Sequence, residues 1–305
     1  MQTPRLLRTG DQVGIISTAR KISEQEVQPA IDKLEKWGLK VLKGNNLHAE
    51  HNQFAGTTTQ RVNDLQAMIN NPNIRAIFCA RGGYGTVQII DQIDWANFRR
   101  VPKWIIGYSD ITVLHSHIQK NYSIESIHGT MPINFPANGK DNEALRTLWN
   151  ALFTGKNQYV FPSHPFNTKG IAQAEIFGGN LSILNSIMGS NSDLNIKNNL
   201  LFFEDLDEYL YHIDRMMMNM QRNDKFKFIK GLVIGGMSDM NDNAIPYGQN
   251  AEEIIYEMMK QYKFPVSFNF PAGHIADNRA IILGRESVLE VGENESKFIQ
   301  GSSKI

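Results

Sequence analysis

The N-terminal half of the chain alternates short apolar runs with stretches of helical periodicity, a pattern few folds accept. Val13-Gly-Ile-Ile-Ser is followed by an amphipathic stretch from Ser23 to Trp37 and then by Lys40-Val-Leu-Lys. A helix near Thr58 to Asn70, a strand Ala76-Ile-Phe-Cys-Ala, a helix near Thr86 to Ile93 and a strand Trp104-Ile-Ile-Gly continue the series. Strand, helix, strand in succession predicts βαβ units and a parallel sheet. The strands are apolar throughout, as a sheet covered on both faces requires.

Beyond Phe135 the texture turns to Asn, Gly, Pro and Lys, with Pro136-Ala-Asn-Gly-Lys, a short helical piece at Glu143 to Leu152, and Pro162-Ser-His-Pro. Later come the strands Leu200-Leu-Phe-Phe and Leu232-Val-Ile-Gly. The chain ends in a meander of Ala280-Ile-Ile-Leu, Ser287-Val-Leu-Glu-Val and Lys297-Phe-Ile-Gln. A chain of 305 residues fills two cores comfortably. We therefore expect an α/β domain over 1–135, a linker over 136–170 and a β-rich C-terminal domain over 171–305.

Lysine plus arginine equals aspartate plus glutamate at 31 each, so no net field draws the protein to nucleic acid or an anionic membrane. No stretch approaches the roughly 20 apolar residues of a membrane span, and the first residues lack the apolar run of a signal peptide. With Cys79 as the one cysteine, a disulfide within the chain is excluded and a thiolate zinc site with it. These features predict a cytoplasmic protein without metal or other cofactor, with a small molecule or a second copy of itself as partner.

Chemistry concentrates where the strand Trp104-Ile-Ile-Gly meets a helix at Gly107-Tyr-Ser109. A serine at such a junction is pushed out of the sheet, and the first amides of the helix point at whatever it attacks. Ile111 stands where a Gly-x-Ser-x-Gly elbow has its second glycine, and on local sequence Ser109 reads first as a helix N-cap, the common role of serine at such a junction. A serine nucleophile needs a base and an orienting acid. Glu204 emerges at the carboxyl end of an apolar strand, where ligand sites of α/β folds collect, or is a solvated acid beside Asp205, Asp207 and Glu208. His274 is presented by the loop Pro271-Ala-Gly-His-Ile, while His128 and His212 stay open as alternative bases. The glycines of Arg81-Gly-Gly-Tyr-Gly let backbone amides approach a ligand. Cys79, inside Ile77-Phe-Cys-Ala, reads as a small buried apolar residue.

Several segments together carry a resemblance. In order, they are Gly10-Asp-Gln-Val-Gly-Ile-Ile-Ser, Ala80-Arg-Gly-Gly-Tyr-Gly, Gly107-Tyr-Ser-Asp-Ile-Thr, His128-Gly-Thr-Met, Gly178-Gly-Asn-Leu, Phe203-Glu-Asp-Leu-Asp-Glu-Tyr-Leu-Tyr-His-Ile-Asp-Arg and Gly273-His. Over nearly its whole length the chain resembles the LD-carboxypeptidases, which include muramoyl-tetrapeptide carboxypeptidases and the related microcin C self-immunity peptidases. Thr130 departs from that pattern, in which proline follows His-Gly.

The resemblance implies an α/β fold, a flavodoxin-like parallel-sheet domain followed by a β-rich one, and a triad of Ser109, Glu204 and His274. It implies oxyanion donors at the amides of Asp110 and Gly83. The substrate it implies is a murein tetrapeptide cut before a terminal D-alanine, with an acyl or peptidyl nucleotide as the alternative. A non-catalytic anion-binding protein is the rival from another class. Arg81, beside Gly82, is a candidate for the substrate carboxylate or a structural ion pair. Because the family often pairs, a homodimer is expected. The run Met216-Met-Met-Asn-Met220 is expected on a helix, largely as core.

Overall fold

The computed structural model describes residues 1–301. Strand β1 (Gln12–Ile16), helix α1 (Glu24–Lys36), β2 (Lys40–Lys43), α2 (Thr58–Asn70), β3 (Ile74–Cys79), α3 (Ala96–Arg100), β4 (Trp104–Gly107), α4 (Thr112–Tyr122) and β5 (Ser126–His128) build the first half. They form a parallel sheet in the order β2-β1-β3-β4-β5. Successive residues of each strand feed opposite layers. Val13, Ala76, Phe78 and Ile106 pack with Val27, Ala30 and Leu34 of α1, whereas Ile77, Cys79 and Ile105 pack with Leu65 and Met68 of α2 and Leu114 of α4.

Helix ends follow from sequence chemistry. Ser23 and Glu26 close a capping box on α1, and Thr57 and Gln60 close one on α2. The helix expected near Thr86 to Ile93 is instead two 3-10 turns, Thr86–Gln88 and Ile90–Gln92. The first is entered from Gly85 at φ 146°, and its Thr86 amide is taken by the Asp110 carboxylate at 2.8 Å and not by a cap at the turn itself.

The chain continues through α5 (Glu143–Phe153), β6 (Asn157–Pro162), β7 (Gly170–Asn180), α6 (Leu181–Ser186), β8 (Leu200–Leu206), α7 (Leu210–Arg222), β9 (Gly231–Ser238), α8 (Ala251–Met259), β10 (Val266–Ser267), β11 (Ile281–Leu283), β12 (Glu286–Val291) and β13 (Glu295–Gln300). The segment 136–170 is folded into both layers: Leu145, Leu148 and Leu152 of α5 complete the core over α1, and β6 pairs with β13. The second sheet runs β10-β9-β8-β7-β12-β13-β6, parallel from β10 to β7 and antiparallel beyond. Met216, Met217 and Met220 of α7 are buried under this sheet.

Part of the expected C-terminal meander lies elsewhere. Strand β11 pairs antiparallel with β5 at the edge of the first sheet, Ile281 opposite His128. Its Ile281 and Leu283 pack against Phe202, Phe270 and Phe298 of the second sheet, so one apolar seam joins the two sheets. No helix among the described residues is long and apolar enough to cross a membrane.

Candidate active site

Strands β1, β3 and β4 are parallel, so their carboxyl ends, and the turns that follow, share one edge. After β4, Tyr108 is extended at φ −148° and Ser109 swings to φ 63°, the left-handed region. Ser109 then opens a 3-10 turn that leads into α4, whose N-cap is Ile111 with no side-chain cap. The helix-cap role for Ser109 is therefore absent. A left-handed non-glycine residue costs about 1–2 kcal/mol and marks a place where geometry is imposed on the chain.

Behind β3, the Arg81–Gly85 turn closes on this serine. A Cβ on Gly82 would stand 2.9 Å from Ser109 Cβ and 3.0 Å from its Oγ, so only glycine admits that approach. The amides of Gly82, Gly83 and Asp110 have no acceptor elsewhere in the described residues. The Asp110 side chain points away from the cleft. It accepts from the Thr86 amide at 2.8 Å, and burial raises its carboxyl above the usual range.

On the facing strand β8, pairing with β9 slips in register between Phe203 and Asp205, and Glu204 sits at that irregularity. Bulges of this kind re-aim a side chain. Glu204 is fully buried, and its Oε2 accepts both the His274 amide at 3.1 Å and His274 Nδ1 at 2.6 Å. Gly273, at φ 107°, lets the His274 loop lie against the acid: a Cβ there would be 2.6 Å from Glu204 Cβ. The loop is pinned further by Ser238 Oγ donating to the His274 carbonyl at 2.8 Å and by Gly273 N donating to Asn278 Oδ1 at 2.9 Å. Tyr108 packs its ring on the imidazole with centroids 4.8 Å apart. With Nδ1–H donated to the carboxylate, Nε2 carries the lone pair.

Ser109 and His274 line the same cleft of about 470 Å³, together with Arg20, Arg81, Gly82 and Gly83. Asp207 and Glu208 line it as well. The neighbouring acids are otherwise engaged. Asp205 takes Asn180 Nδ2 and the amides of Ser182 and Leu206, with its carboxyl pushed up to about 7 by burial and by the charge of Glu204. Asp207 accepts from Asn241 Nδ2 at 2.8 Å, and Glu208 holds His212 Nδ1. That pairing removes His212 as the partner of Ser109.

His128 is fully buried between Tyr108 and Phe202, with neither ring nitrogen hydrogen-bonded among the described residues. Burial also pushes the Cys79 thiol up to about 12, which suits an inert core residue. No group of His, Cys, Asp and Glu side chains that could hold a metal is found among the described residues.

Tyr108 and Arg20 are among the cleft's members that the sequence does not single out. Tyr108 lay inside the Gly-Tyr-Ser-Asp segment, yet nothing local says that its ring supports an imidazole from the other half. Arg20 is a lone cation past β1, and only the parallel topology brings it to the cleft.

The chain has counterparts among known proteins in sequence and in fold. A family model described as the LD-carboxypeptidase N-terminal domain matches residues 13–129, and one described as the LD-carboxypeptidase C-terminal domain matches 173–289. A probable murein peptide carboxypeptidase of Bacillus subtilis is 30% identical across 99% of this chain and 95% of its own. The murein tetrapeptide carboxypeptidase of Pseudomonas aeruginosa is 27% identical across 92% of this chain and 93% of its own. In fold, the chain is similar to a muramoyltetrapeptide carboxypeptidase from Oxalobacter formigenes, with TM-score 0.86 and 22% identity over 96% of this chain and 100% of that one. It is similar too to the microcin C7 self-immunity protein solved with aspartyl sulfamoyl adenosine, with TM-score 0.85 and 19% identity over 97% and 98% of the two chains.

Proposed function

The chain belongs to the LD-carboxypeptidase family, and from that premise we propose that it is a serine peptidase releasing terminal D-alanine from murein tetrapeptides during cytoplasmic peptidoglycan recycling. One observation carries the reading: an imidazole bound to a fully buried carboxylate opens onto the same cleft as a serine held in left-handed backbone at a strand end. In this reading residues 1–135 supply the nucleophile, 171–305 supply the acid and base, and 136–170 connects them.

His274 Nε2 takes the Ser109 hydroxyl proton as Oγ attacks the carbonyl carbon of the L-centre. Negative charge develops on the carbonyl oxygen, toward the unengaged amides of Asp110 and Gly83. Glu204 stays ionised and stabilises the imidazolium. When the tetrahedral intermediate collapses, His274 returns the proton to the departing amine of D-alanine. Water, activated by the same nitrogen, then hydrolyses the ester on Ser109. Arg81 and Gly82 flank the substrate in this scheme, and we propose a homodimer as the working assembly, a state that light scattering on the purified protein reads.

The experiment is to incubate the protein with murein tetrapeptide and follow tripeptide and D-alanine by mass spectrometry. Wild type is expected to release D-alanine, and Ser109→Ala to release almost none. Equal release by both removes Ser109 as nucleophile. An aminoacyl sulfamoyl adenosine belongs in the same assay, because its cleavage in place of the tetrapeptide reassigns the substrate while keeping the triad.

A further inference from the structure

A peptidase that removes one C-terminal residue must recognise a carboxylate lying one Cα beyond the scissile nitrogen. The cation that does so has to stand close to the oxyanion turn. Two guanidinium groups line the cleft, those of Arg20 and Arg81. Arg81 is already engaged: its Nη1 lies 3.7 Å from Glu26 Oε1 and donates to the Lys21 carbonyl at 3.4 Å. Arg20 has no acid within salt-bridge distance and no side-chain hydrogen bond among the described residues.

Its backbone is nonetheless held, and its exposed side chain rests on the glycine turn. Beyond β1 the chain bends through Ser17-Thr-Ala-Arg20, where the Arg20 amide donates to the Gly82 carbonyl at 3.4 Å and Ala55 N donates to the Ala19 carbonyl at 3.0 Å. The aliphatic part of Arg20 lies over Gly83: a Cβ on that glycine would stand 2.6 Å from both Cγ and Cδ of the arginine. The charge thus overhangs the turn that carries the proposed second oxyanion donor. The cleft's acids, Asp207 and Glu208, repel an anion from their part of the lining, which leaves Arg20 as its unengaged cationic partner.

We infer that Arg20 is the specificity residue that binds the free C-terminal carboxylate of the substrate, the role that sequence alone offered to Arg81. The assignment rests on the carboxypeptidase reading above. A guanidinium fork meeting a carboxylate with two hydrogen bonds is a strong, directional contact.

The test compares kcat/KM for two murein tetrapeptides, one with a free C-terminal carboxylate and one with a C-terminal amide, in wild type, Arg20→Gln, Arg20→Lys and Arg81→Gln. Wild type is expected to prefer the acid by about 10- to 100-fold, the range of a charge-assisted hydrogen bond. Arg20→Gln should abolish that preference by raising KM for the acid, Arg20→Lys should keep part of it, and Arg81→Gln should keep the ratio of acid to amide. Retention of the preference by Arg20→Gln, its loss in Arg81→Gln, or equal hydrolysis of acid and amide by wild type overturns Arg20 and leaves the peptidase standing. Wild type that cuts neither peptide overturns the peptidase reading and takes Arg20 down with it.

Discussion

Ser109 holds φ at 63°, a region serine enters at a cost, and the cost separates two substitutions that remove the same hydroxyl. Ser109→Ala keeps the Cβ and with it the clash, whereas Ser109→Gly relieves it. After the greater chain entropy of glycine is subtracted, the glycine variant is expected to be more stable than the alanine variant by about 0.5–1 kcal/mol. Urea denaturation of the two proteins measures this, and an alanine variant of equal or greater stability contradicts an imposed elbow. Glu204 makes a second residue-scale case. Glu204→Gln keeps the volume but can offer its NH₂ to Nδ1 and so favour the wrong tautomer. We expect kcat to fall about 10³- to 10⁴-fold with little change in KM, as for other buried acids of serine triads. A drop below tenfold in steady-state kinetics would leave Glu204 a structural acid. That Ser109 and His274 share a cleft, with Glu204 bound behind the imidazole, is legible because each sits in a short segment whose order along the chain is itself informative. Arg20 is not, since a single arginine after a strand carries no local sign of the cleft that two other strands build beside it.

Elements were read well where their signals are local and poorly where they depend on distant pairing. Helices α1 and α2 announce themselves through Ser23, Glu26, Thr57 and Gln60. Strand β11 looks like any apolar run, and no periodicity tells which of two sheets will accept it. Strand β5 and helix α4 carry a consequence of their own, because His128 and His115 are buried as neutral imidazoles. Burial holds His115 down at about 4 and His128 well below the ordinary 6.5, with the neighbouring His115 and His274 adding to the effect on His128. Unfolded, both titrate near 6.5, so between that value and the folded one the unfolded chain binds more protons. Stability is whole above pH 6.5 and falls as the pH drops toward 4. In His128→Phe, whose ring fits between Tyr108 and Phe202, the loss of unfolding free energy from pH 7 to pH 5 should shrink by about 2 kcal/mol. Denaturation curves at the two pH values that keep the wild-type gap would place His128 in contact with solvent protons in the native state.

For the molecule as a whole, the site exists only while the two sheets hold one orientation, since Ser109 rides on the first and Glu204 on the second. The seam between them is largely apolar, but it includes one buried ion pair. Arg285, in the turn between β11 and β12, donates Nε and Nη2 to both carboxylate oxygens of Glu125, the residue just before β5, and its Nη1 to the Gly155 carbonyl at 2.7 Å. Glu125 is 4% exposed and Arg285 15%. A pair this dry adds little net stability over an apolar match, yet removing one partner strands the other charge and costs about 3–5 kcal/mol. Arg285→Gln is therefore expected to lower the denaturation midpoint strongly, while Arg285→Gln with Glu125→Gln recovers much of the loss because no buried charge is left alone. Kinetics at a temperature where both variants are folded completes the test. If the clamp sets the angle between the sheets, kcat falls in both variants although neither residue touches the cleft, through misplacement of His274 relative to Ser109. A double variant no more stable than the single one would show that the cost came from lost packing around Gly155 and not from the orphaned carboxylate.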